Sequence, residues 1–307
     1  MRILVAASVL IALLSAPLEA QVSDDARQYL DAVLDIMEEE ALRRASVDWV
    51  QVRADAHSFA RRASTPEQTY PAIRRALRAL RDNHSFLQLP QPSQTPSGAL
   101  MPPSTGVAFS RRVGDDIGLI RVPFFMGADV EAFAAHIDSL IVEVDGPSVC
   151  GWIVDLRQNG GGNMWPMLSG LQSILGAPPL GAFRSPTGVG SPWVYTVPSP
   201  GTPLHRPDPP VAVLTDRRTA SSGEAVAIAF HGRPDTRFFG EPTAGVPTAN
   251  RSFPLSDGAI LFLTVATMLD RDGREYSSSL IPDELVTATA AEEPAARWVR
   301  SVCNAAI

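Results

Sequence analysis

The segment that most constrains the fold of this chain is residues 211–232, with the sequence VAVLTDRRTASSGEAVAIAFHG. Its β-branched beginning predicts a buried strand over residues 211–215, and the small apolar residues after Gly223 predict a closely packed helix. A buried strand that leads directly into a helix is typical of α/β proteins, in which helices cover a sheet. Predicted strands and helices alternate throughout the chain after residue 106, which supports the α/β class.

Ser221 and Ser222 lie where this predicted strand passes into the helix. A serine at a helix N-terminus lies beside backbone N–H groups that have no partner within the helix, at the positive end of the helix dipole. The same N–H groups can stabilise the oxyanion that forms when a serine attacks a carbonyl carbon. The segment therefore has two interpretations, a helix cap or a nucleophile, and taken alone it favours the cap.

A second strand-to-helix turn, RQNGGG at residues 157–162, follows the predicted strand 151–156. Three consecutive glycines let the backbone approach a ligand closely and turn its N–H groups towards it. The spacing matches neither a dinucleotide fingerprint nor a phosphate-binding loop with its lysine. If the two strands are parallel neighbours, both turns lie at the carboxyl edge of one sheet, and the glycines suit an oxyanion hole.

His84 is the histidine whose surroundings best suit catalysis. It lies in a polar turn, DNHS at residues 82–85, which follows a predicted helix and precedes apolar Phe86. Such a position can project an imidazole from a rigid support into a groove, although a helix C-cap is an equal alternative on local evidence. All 26 positively charged residues of the chain are arginines. A serine–lysine pair is therefore excluded.

Composition and patterning limit the partners of the protein. The net charge of −7 and the lack of any basic run argue against nucleic acid. No histidine–cysteine cluster has metal-ligand spacing, so neither a metal nor an organic cofactor is expected. Residues 1–20 have one arginine, a short apolar run and a small-residue end, which predict a cleaved export signal and a periplasmic or extracellular protein without stable membrane insertion. The oligomeric state stays open.

The chain divides into four predicted parts. The export signal is followed by a helical N-terminal subdomain at residues 21–88, a Pro- and Ser-rich linker or loop at 89–105, and a core at 106–307. Within the core, short strands are expected near residues 182–184 and 193–197. Cys150 and Cys303 form a disulfide or remain two separate buried thiols, and the sequence leaves both alternatives open.

Six ordered motifs together resemble the carboxyl-terminal processing (tail-specific) serine peptidases and the tricorn-core peptidases. They are LRDNHS at 80–85, DLRQNGGG at 155–162, TASSGE at 219–224, GEPTAG at 240–245, LSDG at 255–258 and IPD at 281–283. The resemblance covers about residues 25–290 and implies a ClpP/crotonase-like α/β spiral core behind a helical subdomain. Many relatives carry a peptide-binding PDZ module between these parts, but too few residues separate residue 87 from residue 106 for one here.

The resemblance implies roles for particular residues of the two turns. The attacking serine of the family lies three residues before a glutamate, which places the nucleophile on Ser221. Ser222 and either Gly161 or Gly162 would then supply the N–H groups of an oxyanion hole. In the tail-specific branch a catalytic lysine follows the GEPTAG-type turn, but the residue at that position here is Val246.

The resemblance therefore points to the tricorn-like branch, in which a histidine is the base, and His84 fits that role. A downstream glutamate completes the relay in that branch, and Glu275 is the candidate here, acting on the imidazole directly or through Asn83; a solvated turn charge is the alternative for Glu275. The implied reaction is hydrolysis of peptide or protein substrates through an acyl-enzyme. A non-catalytic protein that binds hydrophobic ligands or peptides, and a crotonase-type acyl-thioester enzyme, are the competing hypotheses.

Overall fold

The computed structural model of the protein describes residues 22–90 and 107–305. The predicted export signal and nearly all of the predicted linker therefore lie outside the described residues. The helices within the described ranges are α1 (Asp24–Glu40), α2 (Trp49–Phe59), α3 (Tyr70–Ala79), α4 (Val130–Val144), α5 (Met164–Gly170), α6 (Gln172–Leu175), α7 (Ser222–Phe230) and α8 (Glu292–Ala305). The strands are β1 (Phe86–Gln88), β2 (Phe109–Val113), β3 (Ile117–Arg121), β4 (Gly151–Asp155), β5 (Ala182–Ser185), β6 (Gly188–Pro192), β7 (Val211–Thr215), β8 (Thr236–Gly240), β9 (Thr248–Pro254), β10 (Ile260–Leu269), β11 (Glu275–Tyr276) and β12 (Glu284–Leu285).

The first sheet has the strand order β12-β8-β7-β4-β3-β2, and all neighbouring strands are parallel except the edge pair β2–β3. Every residue of the central strands β4 and β7 is buried, as expected for a parallel sheet that is covered on both faces. Helices α4, α5 and α7 pack on one face and α8 on the other. The mixed α/β class is confirmed.

The second sheet is antiparallel and is organised around the long strand β10. Strand β9 pairs with β10 along one side, while β1 and β5 pair with opposite ends of β10 on its other side. The expected strand at residues 193–197 is wrong, because the strand after β5 is β6 and Trp193 follows it as a fully buried side chain. A tight hairpin turn sets the β5–β6 pairing, and the glycine-rich sequence of β6 carries no β-strand signal.

The helical N-terminal region that the sequence predicts is present and shares its core with the second sheet. Helix α1 begins at the cap Ser23, whose hydroxyl accepts from Ala26 N, and its buried face includes Leu30 and Val33. This cluster continues through Ala259 into β10, where it includes Leu261 and Leu263. The helices therefore pack directly against the strand that also carries the second sheet.

Cys150 and Cys303 form a disulfide, with Cα atoms 6.0 Å apart, which ties α8 to the beginning of β4. The sequence left this pairing open, because the two cysteines are separated by 153 positions and only the packing of α8 on the sheet brings them together. Among residues 22–90 and 107–305, no helix combines the length and apolar character that a membrane span requires.

Candidate active site

The glycine turn and the serine turn lie side by side at the carboxyl edge of the first sheet. Strands β4 and β7 are parallel neighbours, with Asp155 opposite Leu214, so the loops that follow them meet. The two loops are joined by hydrogen bonds: Ala220 N donates to Asn159 O (2.9 Å), and the hydroxyl of Thr219 donates to Leu156 O (2.9 Å). This edge is where α/β proteins place ligand sites.

Ser221 lies at the N-cap position of α7 with φ 53° and ψ −116°. An ordinary N-cap residue has an extended backbone, so this conformation, rare outside glycine, is more than a cap requires. The neighbouring glycines make room for it. A Cβ at Gly161 would lie 2.9 Å from Ser221 Cβ, and one at Gly223 would lie 2.3 Å from Asn159 O. Backbone strain of this kind is concentrated at functional sites.

The buried side chain of Glu224 supports the serine turn through hydrogen bonds. Its carboxylate is fully buried and accepts four hydrogen bonds, from Ser221 N (2.9 Å), the Thr243 hydroxyl (2.5 Å), Gly245 N (2.9 Å) and Val246 N (3.0 Å). Burial raises the pKa of Glu224, while these hydrogen bonds act in the opposite direction. The carboxylate thereby joins the serine turn to the GEPTAG turn after β8.

Two backbone N–H groups beside Ser221 are free to bind an oxyanion. The N–H groups of Gly162 and Ser222 have no acceptor among the described residues. Gly161 differs, because its N–H donates to Asn159 Oδ1 at 3.0 Å. The sequence proposed Gly161 or Gly162 as donor, and the geometry favours Gly162. The Ser222 hydroxyl donates to Gly162 O (2.5 Å), which holds these two residues together.

His84 is fixed in place by residues of strand β9 in the second sheet. Its Nδ1 lies 2.7 Å from Thr248 Oγ1, and its carbonyl oxygen accepts from Asn250 Nδ2 (2.7 Å). Thr248 and Asn250 are two positions apart on one strand and therefore point to the same face. Asp82 Oδ1 accepts from the N–H groups of His84 and Ser85, which shapes the DNHS turn.

The serine and the histidine line one cavity of about 560 Å³, which we call the serine cavity. Gly162 and Ser222 line it as well. Its remaining wall is largely apolar, and Phe86 stacks on Phe262 there with ring centroids 4.7 Å apart. Other apolar side chains of this wall are Phe124, Met126, Met164, Trp165, Phe183 and Met268.

Neither Glu275 nor Asn83 contacts the imidazole by a hydrogen bond among the described residues. Glu275 accepts from the Thr267 hydroxyl (2.6 Å) and lies 3.3 Å from Arg184, while Asn83 forms no side-chain hydrogen bond there. The position that the sequence offered to these two residues is occupied by Thr248. No motif singles out Thr248, and only the register of β9 against the histidine turn could reveal it.

His84 is half-buried, and its desolvation lowers the pKa of the imidazole below the usual value of about 6.5, with partial compensation by the Asp82 carboxylate. Burial therefore favours the neutral ring, which is the form that can accept a proton from a serine hydroxyl.

Comparison with known proteins gives relatives over most of the chain. The Nisin-resistance protein of Lactococcus lactis subsp. lactis is 28% identical over 287 residues, which are 90% of this chain and 87% of the relative. The Carboxyl-terminal-processing protease of Synechocystis sp. is 30% identical over 183 residues, 57% of this chain and 39% of the relative.

Solved structures share the fold. A lipoprotein from Streptococcus agalactiae superposes with a TM-score of 0.76 at 25% identity, covering 91% of this chain and 97% of that one. The photosystem II D1 C-terminal processing protease superposes with a TM-score of 0.60 at 16% identity, covering 87% of this chain and 94% of that one, and at that identity the likeness shows the fold alone.

These similarities place the protein in the class of serine-type peptidases, whose substrates are proteins and peptides. Residues 116–286, more than half of the chain, match the model of the family described as Peptidase family S41. The chain therefore belongs to peptidase family S41, which confirms the resemblance that the six motifs carry.

Proposed function

We propose that this protein is an exported peptidase that hydrolyses peptide bonds through an acyl-enzyme on Ser221, with His84 as general base. The observation that supports the proposal most strongly is the serine cavity itself. It brings together Ser221 in a strained turn, a neutral imidazole and the free N–H groups of Gly162 and Ser222. These are the nucleophile, base and oxyanion donors that acyl transfer requires.

In this mechanism Ser221 Oγ attacks the scissile carbonyl carbon while His84 Nε2 takes its proton, and the imidazolium then donates that proton to the leaving amine. A water molecule hydrolyses the acyl-enzyme by the same steps. The negative oxygen of each tetrahedral intermediate accepts from Gly162 N and Ser222 N. The loss of one such donor costs about 3 kcal/mol of barrier in serine peptidases.

Thr248 is assigned the positioning role in this proposal. With the proton on Nδ1 of His84 donated to Thr248 Oγ1, Nε2 is left unprotonated and able to act as the base. Glu275 is then more remote: it accepts from Thr267, which is the cross-strand partner of Thr248 in the β9–β10 pair. Its carboxylate is therefore assigned no direct contact with the imidazole in this proposal.

Export belongs to the same proposal. The composition of residues 1–20 supports a signal that is cleaved after Ala20, and the Cys150–Cys303 disulfide fits an oxidising compartment. Sequencing the N-terminus of the mature protein from its native host tests this directly. We expect the first residue to be Gln21, and recovery of an intact Met1 in an unexported protein would contradict it.

The catalytic assignment is tested with a fluorophosphonate probe, which labels activated serines. We expect the wild type to be labelled, Ser221→Ala to be unlabelled, and His84→Ala to be labelled at least a hundredfold more slowly. Ser252→Ala is the matched control, because Ser252 lines the same cavity and has no role in the mechanism. Labelling that survives in Ser221→Ala would sink the nucleophile assignment.

Peptide hydrolysis is measured in parallel with a mixed peptide library and mass spectrometry. The apolar wall of the serine cavity predicts cleavage sites with a large apolar side chain nearby. Because one relative is named for nisin resistance, nisin is included among the substrates. A folded wild type that the probe labels but that cleaves no peptide would contradict the peptidase proposal while leaving the serine assignment intact.

A further inference from the structure

Asn159 belongs to the glycine turn, is fully buried and is not among the residues that line the serine cavity. A buried amide is costly unless its oxygen and its nitrogen both find hydrogen-bond partners. Both do so here, and the backbone N–H and carbonyl group of Asn159 have partners as well. The mechanism proposed above gives this residue no role, although the oxyanion donor Gly162 follows it by only three positions.

The side-chain oxygen of Asn159 engages the glycine that does not serve as a donor. Oδ1 accepts from Gly161 N at 3.0 Å, so this N–H points to a buried acceptor. Gly161 has φ 112° and Gly162 has φ 95°, backbone conformations that favour glycine. With the N–H of Gly161 engaged, the N–H of Gly162 is the one left without an acceptor among the described residues.

The side-chain nitrogen of Asn159 joins the glycine turn to the loop that follows β3. Nδ2 donates to Val122 O (3.1 Å) and to the next carbonyl oxygen of that loop (3.3 Å). The same loop contacts the turn again at Phe125, whose N–H donates to Gly161 O (3.3 Å). A Cβ at Gly162 would overlap Phe125 O, so the two backbones are in close contact. The loop after β3 therefore supports the turn at several consecutive residues.

The backbone carbonyl group of Asn159 reaches the serine turn. It accepts from the N–H of Ala220 (2.9 Å), the residue directly before Ser221. Asn159 thus contacts the glycine turn, the loop after β3 and the serine turn at once. The spacing between the N–H groups of Gly162 and Ser222 depends on how these three segments are held together.

We infer that Asn159 is the positioning residue of the oxyanion hole: its amide withdraws the Gly161 N–H and holds the Gly162 N–H beside that of Ser222. This inference rests on the proposed function. An oxyanion hole is effective because its donors are already in place when the negative charge forms. A displacement of about 1 Å in a catalytic site costs about a hundredfold in rate, so a turn that is held loosely would lose most of this effect.

The role of the amide is tested with Asn159→Asp and Asn159→Ala. The first variant keeps the shape of the side chain, but its carboxylate offers no donor to the two carbonyl oxygens of the loop after β3. The second removes all side-chain contacts. In each variant we expect kcat to fall about a hundredfold while KM stays within about twofold, the pattern of an interaction made only in the transition state.

A peptide aldehyde reports on the oxyanion hole itself. Ser221 Oγ adds to the aldehyde carbon, the hydroxyl proton passes to His84, and the aldehyde oxygen becomes the negative oxygen that the two N–H groups bind. The aldehyde should therefore bind both Asn159 variants about a hundredfold more weakly than the wild type. A loss of kcat with unchanged aldehyde affinity would overturn the inference, because the effect would then lie outside the oxyanion hole.

Asp138→Ala is the matched control for a loss of stability alone. Asp138 is also buried, accepts from the N–H (3.1 Å) and the hydroxyl (3.0 Å) of Thr202, and does not line the serine cavity. This variant should unfold at a lower urea concentration but keep the kcat and the aldehyde affinity of the wild type. Asn159 variants that behave in the same way would overturn the inference while the proposed function stands.

Amide hydrogen exchange of the wild type tests the inference without any variant. The Gly161 N–H, held by Asn159, should exchange slowly, whereas the Gly162 N–H should exchange quickly until the aldehyde binds and protects it. A Gly161 N–H that exchanges as quickly as that of Gly162 would overturn the inference. A wild type that neither binds the aldehyde nor reacts with the fluorophosphonate probe would instead be a failure of the proposed function.

Discussion

The two halves of the site are held in very different ways. The serine turn belongs to the first sheet, and its hydrogen bonds come from the loops after β4, β7 and β8, which begin at one sheet edge. The histidine turn is held by residues of β9 that lie 164 and 166 positions away in the sequence. The serine half therefore forms with the parallel sheet, whereas the histidine half requires the helices to dock on the second sheet.

Polar contacts with β10 and its hairpin add to the apolar packing that holds the helices on the second sheet. Thr264 O accepts from Leu42 N (2.8 Å), and Thr264 N donates to the Ser85 hydroxyl (2.9 Å). At the hairpin, Asp257 accepts from the hydroxyls of Tyr29 (2.9 Å) and Tyr70 (2.6 Å). The serine turn and the histidine turn are therefore held by different residues, and separate mutations can perturb each of them.

The largest effect is expected for Glu224→Gln, which breaks the serine half. An amide in place of the carboxylate turns two donors towards N–H and O–H groups that need acceptors, at a cost of about 3 kcal/mol of unfolding free energy. The displaced Ser221 should lower kcat/KM by about a hundredfold. Urea denaturation and probe labelling measure both quantities. Glu241→Gln is the control, because Glu241 is half-exposed and pairs only loosely with Arg217 (3.8 Å). Unchanged stability and labelling in Glu224→Gln would refute the role of the Glu224 carboxylate.

Asp257→Ala should weaken the packing of the N-terminal helices, which precede the histidine turn, on the second sheet. Two buried tyrosine hydroxyls lose their acceptor, which should lower the free energy of unfolding by about 2 kcal/mol. We expect activity to be lost at a lower urea concentration than the circular dichroism signal of the parallel core. The reason is that the N-terminal helices separate from the second sheet before that core unfolds. Coincident transitions in this variant would show that the two halves do not separate. The double variant Tyr29→Phe, Tyr70→Phe keeps Asp257 and removes the two hydroxyl donors instead of their acceptor. It should lose less unfolding free energy than Asp257→Ala.

Thr248→Val tests a single contact of the histidine half, the one between the threonine hydroxyl and the imidazole. The substitution preserves shape but removes the oxygen 2.7 Å from His84 Nδ1, so the imidazole loses its preferred tautomer and orientation. We expect kcat to fall about tenfold with little change in KM or in unfolding free energy. Thr248→Ser restores the hydroxyl and should recover most of the rate. A fall of the same size in Thr248→Ser would mean that packing, not the hydroxyl, matters.

The smallest expected effect is the change of kcat/KM in mildly acidic solution. Because burial holds the pKa of His84 below about 6.5, the base should stay unprotonated at neutral pH, and kcat/KM should fall only as the pH drops through that lowered pKa. A pH–rate profile of the wild type measures this. An acid limb whose midpoint lies above 6.5 would contradict the burial of the imidazole in the active form.

Much of the fold could be predicted from local patterns. The limits of β7 are those the sequence predicts, and a helical region is present where the sequence predicts one near the N-terminus. The family resemblance rests on ordered motifs that are each local, and the α/β class on the alternation of predicted strands and helices. The candidate nucleophile and base were also named from local sequence, and their roles remain proposals.

The sequence by itself determined the buried strands β4 and β7 and most of the helices, but not β6, because hydrophobic period and turn chemistry act over a few residues. Only the tertiary structure decided the rest: Thr248 rather than Asn83 or Glu275 beside the imidazole, Gly162 rather than Gly161 with a free N–H, and the Cys150–Cys303 pair. These depend on the register between distant segments. A one-residue slip of β9 would turn Thr248 to the opposite face, and no local pattern carries that information.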